Sequence, residues 1–373
     1  MRVLIAAGGT AGHINPALAI AQGIARRWPE AEIHFAGRRA GMEYRLVTQA
    51  GYPFHPIEVR GFQRRINAKN IVRNMQAAGY LALAPAAAHK ILRTVSPDLV
   101  IGVGGYVSGP VLLEAARMGI KTAIHEQNAY PGVTNRLLAK RVDVVFAPTP
   151  SAVSRLGQPE KTVITGNPVR PELFHQDRAA ARRKLGVAEG QVLLLSYGGS
   201  LGAMQVNHMV AALAAWHLKN REFMHIHATG SIEKASFAAL AAELKIAGDP
   251  GFDIREYIDD MPGLLAASDL VICRAGALTL AELAAVGRAS VLIPSPNVAE
   301  NHQYYNALEY EKAGAARVFE EKNLTAARLI ETVDGLTADP SALRTMGDAA
   351  RGLAHPDALD ILIQELAVLL GKN

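Results

Sequence analysis

A short apolar run that breaks on paired glycines opens this chain and returns 190 residues later. Arg2-Val-Leu-Ile-Ala-Ala7 meets Gly8-Gly9, and Val192-Leu-Leu-Leu-Ser-Tyr197 meets Gly198-Gly199. Each run has the length and branched composition of a buried strand, and helix-like periodicity follows each pair of glycines. After the first turn a helix is expected from about Asn15, with Leu18, Ile20, Ile24 and Trp28 on one face and Pro29 at its end. Further strands are expected at Ile33–Ala36, Leu99–Val103, Thr122–His125, Val142–Ala147 and Val163–Thr165, then at His225–Ala228, Leu270–Cys273 and Ser290–Ile293. Helical segments separate most of them. Alternating strands and helices build a parallel sheet covered on both faces, so the fold class is α/β, as two similar domains in tandem. The length of 373 residues fits two domains, with residues 166–190 as the connection.

Half of the residues are hydrophobic and a fifth charged, which excludes a disordered or fibrous chain. The single cysteine, Cys273, excludes an internal disulfide framework and a cysteine-rich zinc site, so a reducing compartment is expected. Val3–Ala7 is too short for a signal-peptide core, and no run approaches the ~18 apolar residues of a membrane span. The expectation is a cytoplasmic protein or one lying on a membrane. Its net charge of +5 divides into +12 up to Arg170 and −7 beyond it, which suits an anionic partner for the first half.

Three glycine-rich turns follow strands: Gly8-Gly-Thr-Ala-Gly-His13, Gly104-Gly-Tyr-Val-Ser-Gly109 and Gly198-Gly-Ser-Leu-Gly-Ala203. Such turns let backbone N–H groups and a helix N-terminus approach an anion, although any one of them reads equally well as a tight turn without a ligand. None fits the dinucleotide fingerprint, since Arg38-Arg39 stand where its acidic residue would, and no Walker-type phosphate loop occurs. The stretch Cys273-Arg-Ala-Gly-Ala-Leu-Thr-Leu-Ala-Glu282 ends a strand, turns at Gly276 and opens a helix. Amides near Ala277–Thr279 can hold a diphosphate and Glu282 can accept two ribose hydroxyls, or Glu282 merely complements the helix dipole. His13 sits where a helix N-terminus lowers its pKa and favours the neutral imidazole a general base needs, with helix capping as the plainer role. His125-Glu126-Gln127-Asn128 places four polar side chains at the carboxyl edge of a strand, where α/β folds bind ligands or where loops hydrogen-bond themselves.

These loops, with Gly166-Asn-Pro-Val-Arg170, Tyr257-Ile-Asp-Asp-Met261, Arg274–Glu282 and Asn301-His-Gln-Tyr-Tyr-Asn306, resemble the MurG family in order from residue 3 to about 320. Those bacterial enzymes add N-acetylglucosamine to undecaprenyl-diphospho-N-acetylmuramoyl-pentapeptide, the lipid I to lipid II step of peptidoglycan synthesis. The resemblance implies two Rossmann-like domains facing across a cleft, of the GT-B type. It implies an N-terminal acceptor and membrane domain over 1–165, a UDP-sugar domain over 166–345, and a helical segment over 346–373 able to pack back on the first domain. Carried over by motif, Thr10, Ala11, Gly12, Asn128, Arg170, Ser200, Ile258, Ala277, Leu278, Thr279, Leu280, Ala281, Glu282 and Gln303 line the donor site. Ile258 meets uracil through its backbone, Glu282 the ribose, Ser200 and Ala277–Thr279 the diphosphate, and Gln303 and Asn128 the sugar. Gly9, Gly104, Gly105 and Ser108 form loops for the acceptor diphosphate. Two positions depart from the family pattern: Ala11 replaces a glycine, narrowing room for the acceptor diphosphate, and Leu201 replaces a commonly polar residue.

The activity so implied is an inverting transfer with His13 as the base and no metal or other cofactor. Asp259-Asp260 are adjacent, not an Asp-x-Asp pair beside the diphosphate. Partners are UDP-N-acetylglucosamine, undecaprenyl-linked lipid I and an anionic membrane, without nucleic acid. The implied location is peripheral, on the cytoplasmic face of the bacterial inner membrane. Arg60, Arg64, Arg65, Lys69 and Arg73, interleaved with Phe62, Ile66, Ile71 and Val72, suit that surface, as does the apolar run from Tyr80 to Ala88, or they are a solvated helix face before a buried helix. Two further readings share the donor site: a UDP-N-acetylglucosamine 2-epimerase, and a silent sugar-nucleotide-binding scaffold.

Overall fold

The computed structural model describes residues 1–59, 61, 68–199 and 201–372, without the side chains of 68–73 and 81. The chain forms two units: Met1–Pro168 with Asp357–Asn373, and Val169–Pro356.

The first unit runs β1 (Arg2–Ala6), α1 (Ala11–Arg27), β2 (Glu32–Gly37), α2 (Met42–Gln49), β3 (Phe54–Pro56), α3 (Ala68–Val95), β4 (Leu99–Gly102), α4 (Ser108–Arg117), β5 (Lys121–His125), α5 (Val133–Ala139), β6 (Val144–Ala147), α6 (Pro150–Leu156) and β7 (Thr162–Ile164). All its strand pairs are parallel, in the order β3-β2-β1-β4-β5-β6-β7. Val3, Leu4 and Ile5 on β1 have no exposed surface, as a central strand covered on both faces requires. Helix α1 begins at Ala11, four residues before the expected start, so Pro16 lies inside it and His13 on its first turn. Pro16 is the sixth residue of α1, past the first turn, so it removes one helical hydrogen bond and leaves the Gly12 carbonyl without that donor.

The second unit runs α7 (Arg178–Leu185), β8 (Leu193–Tyr197), α8 (Met204–Asn220), β9 (Met224–Ala228), α9 (Lys234–Glu243), β10 (Phe252–Arg255), α10 (Met261–Ala267), β11 (Leu270–Cys273), α11 (Ala277–Val286), β12 (Ala289–Leu292), α12 (His302–Lys312), β13 (Ala316–Val318), α13 (Ala326–Ala338) and α14 (Pro340–Arg351). Its parallel sheet has the order β10-β9-β8-β11-β12-β13, the same winding as the first.

The last helix, α15 (Ala358–Leu370), belongs to the first unit. Leu362, Ile363 and Leu366 enter the core formed by Val3, Ile5, Ile20 and Ile24. The crossing is close at Gly23, where an added Cβ would lie 2.9 Å from Leu359 Cδ1. A terminal segment beginning at 346 is corrected here: α14 spans that position and packs in the second unit, and the return starts at Asp357.

Candidate active site

In a doubly wound sheet, ligands bind beyond the carboxyl ends of the strands where the winding reverses. In the first unit that point lies between β1 and β4, in the second between β8 and β11. The strands at these two points lead into the three glycine turns and the segment from Arg274 to Glu282. The sequence motifs therefore converge on the two places where this topology makes a crevice.

In the first unit, Thr10 caps α1 without a side-chain hydrogen bond, and His13 N–H donates to Thr10 O at 3.0 Å. Ala11 and Gly12 therefore begin the helix with amides that have no preceding turn to bond. Ala11 lies within α1, so its departure from glycine needs no left-handed backbone. The His13 ring is half-buried, with Nδ1 2.9 Å from Gln127 Oε1. Gly104, at φ 106°, makes room for it, since a Cβ there would fall 2.6 Å from Nδ1.

His125 ends β5 fully buried, and burial pushes its pKa down to about 4 against the opposing pull of Gly166 O and Glu126. Glu126 is 2% exposed and organises the following loop. Its Oε1 accepts from the amides of Gln127 and Asn128 and from Asn128 Nδ2, and its Oε2 from Gly132 N–H and Asn135 Nδ2, at 2.8–3.1 Å. A buried carboxylate with this many donors is a fixed anchor, and it sets where Asn128 stands.

Two residues expected on the acceptor loops have other work. Ser108 is fully buried, with its hydroxyl 2.9 Å from the Ala6 and Gly104 carbonyls and accepting Gly104 N–H at 3.1 Å, so it locks the loop from inside. Gly9 N–H donates to Glu43 Oε2 at 3.4 Å, which commits that amide to a buried carboxylate. Gly105 is required for close approach, since a Cβ would lie 2.3 Å from Gly8 O.

In the second unit, Gly276 caps α11 with no side-chain bond and no acid in the first turn. Leu280 N–H donates to Gly276 O at 3.0 Å, leaving the amides of Ala277, Leu278 and Thr279 as the open helix N-terminus. Leu280 turns its side chain into the core, and its carbonyl accepts the Tyr310 hydroxyl. Ala281, a residue farther along, likewise stands past the open turn. Glu282 pairs with Arg170 at 3.4 Å; burial raises its carboxyl above the usual carboxylate range, and Arg170 opposes that shift. Ile258 buries its side chain in the core, so its backbone is what it can offer a ligand. Gln303 Oε1 accepts Ser295 N–H at 2.9 Å, which turns its amide nitrogen away from that bond. Asp260 is occupied as the cap of α10, accepting Gly263 N–H at 3.0 Å and pairing with Lys184. Ser200, Arg60, Arg64 and Arg65 lie outside the described residues, as do the side chains of Lys69 and Arg73.

Comparison with known proteins places this architecture. Residues 3–147 match the glycosyltransferase family 28 N-terminal domain and residues 193–362 its C-terminal domain. The chain is 44% identical, over all of its length and 99% of the relative's, to the UDP-N-acetylglucosamine–N-acetylmuramyl-(pentapeptide) pyrophosphoryl-undecaprenol N-acetylglucosamine transferase of Acetivibrio thermocellus. It is 41% identical to the Desulforudis audaxviator enzyme of the same name, with both chains fully covered. Among solved structures, Acinetobacter baumannii MurG superposes with a TM-score of 0.78 at 29% identity, covering 98% of this chain and 99% of that one. A Neisseria meningitidis UDP-GlcNAc 2-epimerase shares the fold, with a TM-score of 0.67 at 14% identity, covering 99% of this chain and all of that one. The fold is of the GT-B type, and the chain belongs to glycosyltransferase family 28, within its MurG family of N-acetylglucosamine transferases.

Proposed function

We propose that this protein transfers N-acetylglucosamine from UDP-N-acetylglucosamine to the muramoyl C4 hydroxyl of undecaprenyl-diphospho-N-acetylmuramoyl-pentapeptide, with inversion at the anomeric carbon. The observation that carries the reading furthest is the imidazole of His13, held by Gln127 at the crevice of the first unit. As the acceptor oxygen attacks the anomeric carbon, its proton passes to His13, the new C–O bond forms, and the bond to the β-phosphate breaks with its electron pair leaving on UDP. The open amides of Ala277, Leu278 and Thr279 and the dipole of α11 stabilise that developing charge. In the second unit Glu282, the Ile258 backbone, Gln303 and Ser200 hold the donor in the roles given above, with Arg170 paired to Glu282; in the first, Asn128 meets the sugar and Thr10, Ala11 and Gly12 are further donor contacts. The acceptor diphosphate is left to the Gly104–Gly105 turn, with Ser108 and Gly9 bracing the turns from behind.

The acceptor's lipid is held in a bilayer, and the exposed face of α3 suits contact with one. Met75, Ala78, Gly79, Ala82, Leu83 and Ala86 are exposed at helical spacing, Met75 by 71% and Leu83 by 70%. No helix among the described residues is long and apolar enough to cross a membrane. The test is incubation with UDP-N-acetylglucosamine and lipid I. A lipid-linked disaccharide with stoichiometric UDP is expected; release of the manno-epimer, or binding without turnover, contradicts the proposal.

A further inference from the structure

Gln127 has none of the binding roles given above, yet it is among the most tightly held side chains of the site. It is 3% exposed. Its amide nitrogen lies 3.1 Å from Val103 O, 2.9 Å from His125 O and 2.8 Å from His125 Nδ1. Its main chain is pinned as well, with Gln127 N–H donating to Glu126 Oε1 and Asn167 Nδ2 donating to Gln127 O, each at 2.9 Å. The two ends of an amide often cannot be told apart, but two carbonyl oxygens accept and never donate, so the nitrogen must face them. The oxygen then faces His13 Nδ1 at 2.9 Å. An amide oxygen cannot donate either, so the ring proton of neutral His13 sits on Nδ1 and the lone pair on Nε2.

The same logic continues inward. Gly166 O can only accept, so the proton of neutral His125 sits on Nε2, 3.4 Å away, and its Nδ1 lone pair faces the Gln127 nitrogen, whose two hydrogens are shared among three acceptors. The bonds thus run one way, from His13 through Gln127 and His125 to Gly166. His125 is buried and stays neutral near pH 7, so no charge enters the chain from that end.

We propose that Gln127 is a positioning residue that fixes His13 as its Nδ1–H tautomer and thereby presents Nε2 as the proton-accepting atom in glycosyl transfer. The proposal rests on the reading of His13 as the base. A carboxylate in this position would hold the ring equally well but would also favour the imidazolium and slow its proton release. The amide sets the tautomer without adding charge. Gly104 supports the arrangement from the other side, because any side chain there would press on Nδ1.

The test has two parts. In 15N-labelled wild-type protein, long-range 1H–15N spectra, assigned against His13→Asn, should show a pyrrole-type Nδ1 and a pyridine-type Nε2 for neutral His13. Gln127→Met keeps the length and loses both polar ends. It should shift His13 toward the Nε2–H form and lower kcat about 10- to 10³-fold, leaving the KM for UDP-N-acetylglucosamine and the calorimetric affinity for UDP unchanged. A protonated Nε2 in the wild type overturns the proposal and needs no variant to fold. So does a Gln127→Met enzyme with normal kcat, or one whose kcat falls while the tautomer is unchanged. Normal turnover in His13→Ala would overturn the base assignment itself, and is distinguishable because the wild-type spectrum is read without it.

Discussion

The two units wind their sheets in the same order but use their polar residues in opposite ways. At the crevice of the first unit, His125, Glu126, Gln127 and Ser108 are buried and satisfied by one another and by the backbone, and the arrangement ends on one half-buried imidazole. At the crevice of the second, the N-terminus of α11 has no side-chain cap, and Glu282 has a single long pair to Arg170. On the function proposed above, the first unit holds a reacting group still and the second receives charge and hydroxyls from a ligand. The second unit keeps its buried polar network elsewhere, beneath α8 and β9. There Ser196 Oγ lies 2.7 Å from His225 Nε2 and 2.8 Å from His227 Nδ1, and His217 Nε2 lies 3.1 Å from His225 Nδ1.

The largest expected effect separates the units by acid. Burial lowers His217 to about 4 and His227 to about 3, and His225 well below its ordinary 6.5. In the unfolded chain these imidazoles take up protons as the pH falls through about 6.5, whereas the folded ones stay neutral until the pH reaches their lowered values. Their contribution to stability is therefore complete above about pH 6.5 and is lost as the pH falls from there toward the lowered values, at about 1.4 kcal/mol per pH unit each and about 4 kcal/mol per pH unit for the three. His125 gives the first unit about a third of that slope. Trp28 stands in the first unit and Trp216 in the second, so urea titrations of Trp28→Phe and Trp216→Phe followed by fluorescence read each unit separately. Equal acid sensitivity would break the contrast.

A substitution at α15 should weaken one unit alone. Leu362 is fully buried in the first unit's core, and Leu362→Ala is expected to cost that unit about 2–5 kcal/mol with UDP affinity unchanged. A concurrent loss of UDP binding would show that the second unit depends on the returning helix. Smaller again, Glu282→Ala should weaken UDP by about 1–3 kcal/mol through lost hydrogen bonds to the ribose, leaving turnover at saturating donor close to normal. Calorimetry with UDP checks it, and unchanged affinity would remove Glu282 from the donor site.

Among the described residues, ten of the thirteen strands can be read from short, mostly apolar runs bounded by turns. The three that cannot, β3, β10 and β13, are sheet edges. Phe54-His-Pro56, Phe252-Asp-Ile-Arg255 and Ala316-Arg-Val318 are short and mix polar with apolar residues, because an edge strand is not covered as a central one is. His13 and Glu282 were legible because each follows a glycine turn at the start of a helix. Gln127 was visible as a polar residue at a strand end, but its partner is 114 residues away, and only the adjacency of β1, β4 and β5 brings them together. Motif position does not show that the Ser108 hydroxyl and the Leu280 side chain turn inward, because that is set by the packing around them.

The division of labour between the units is tested most directly by measuring kcat and UDP affinity together in His13→Ala, with lipid I at saturation. The account expects kcat to fall by roughly 10²–10⁴-fold, the share of a general base, while UDP binds as in the wild type. Turnover preserved in the variant, or lost in proportion to UDP affinity, would contradict it.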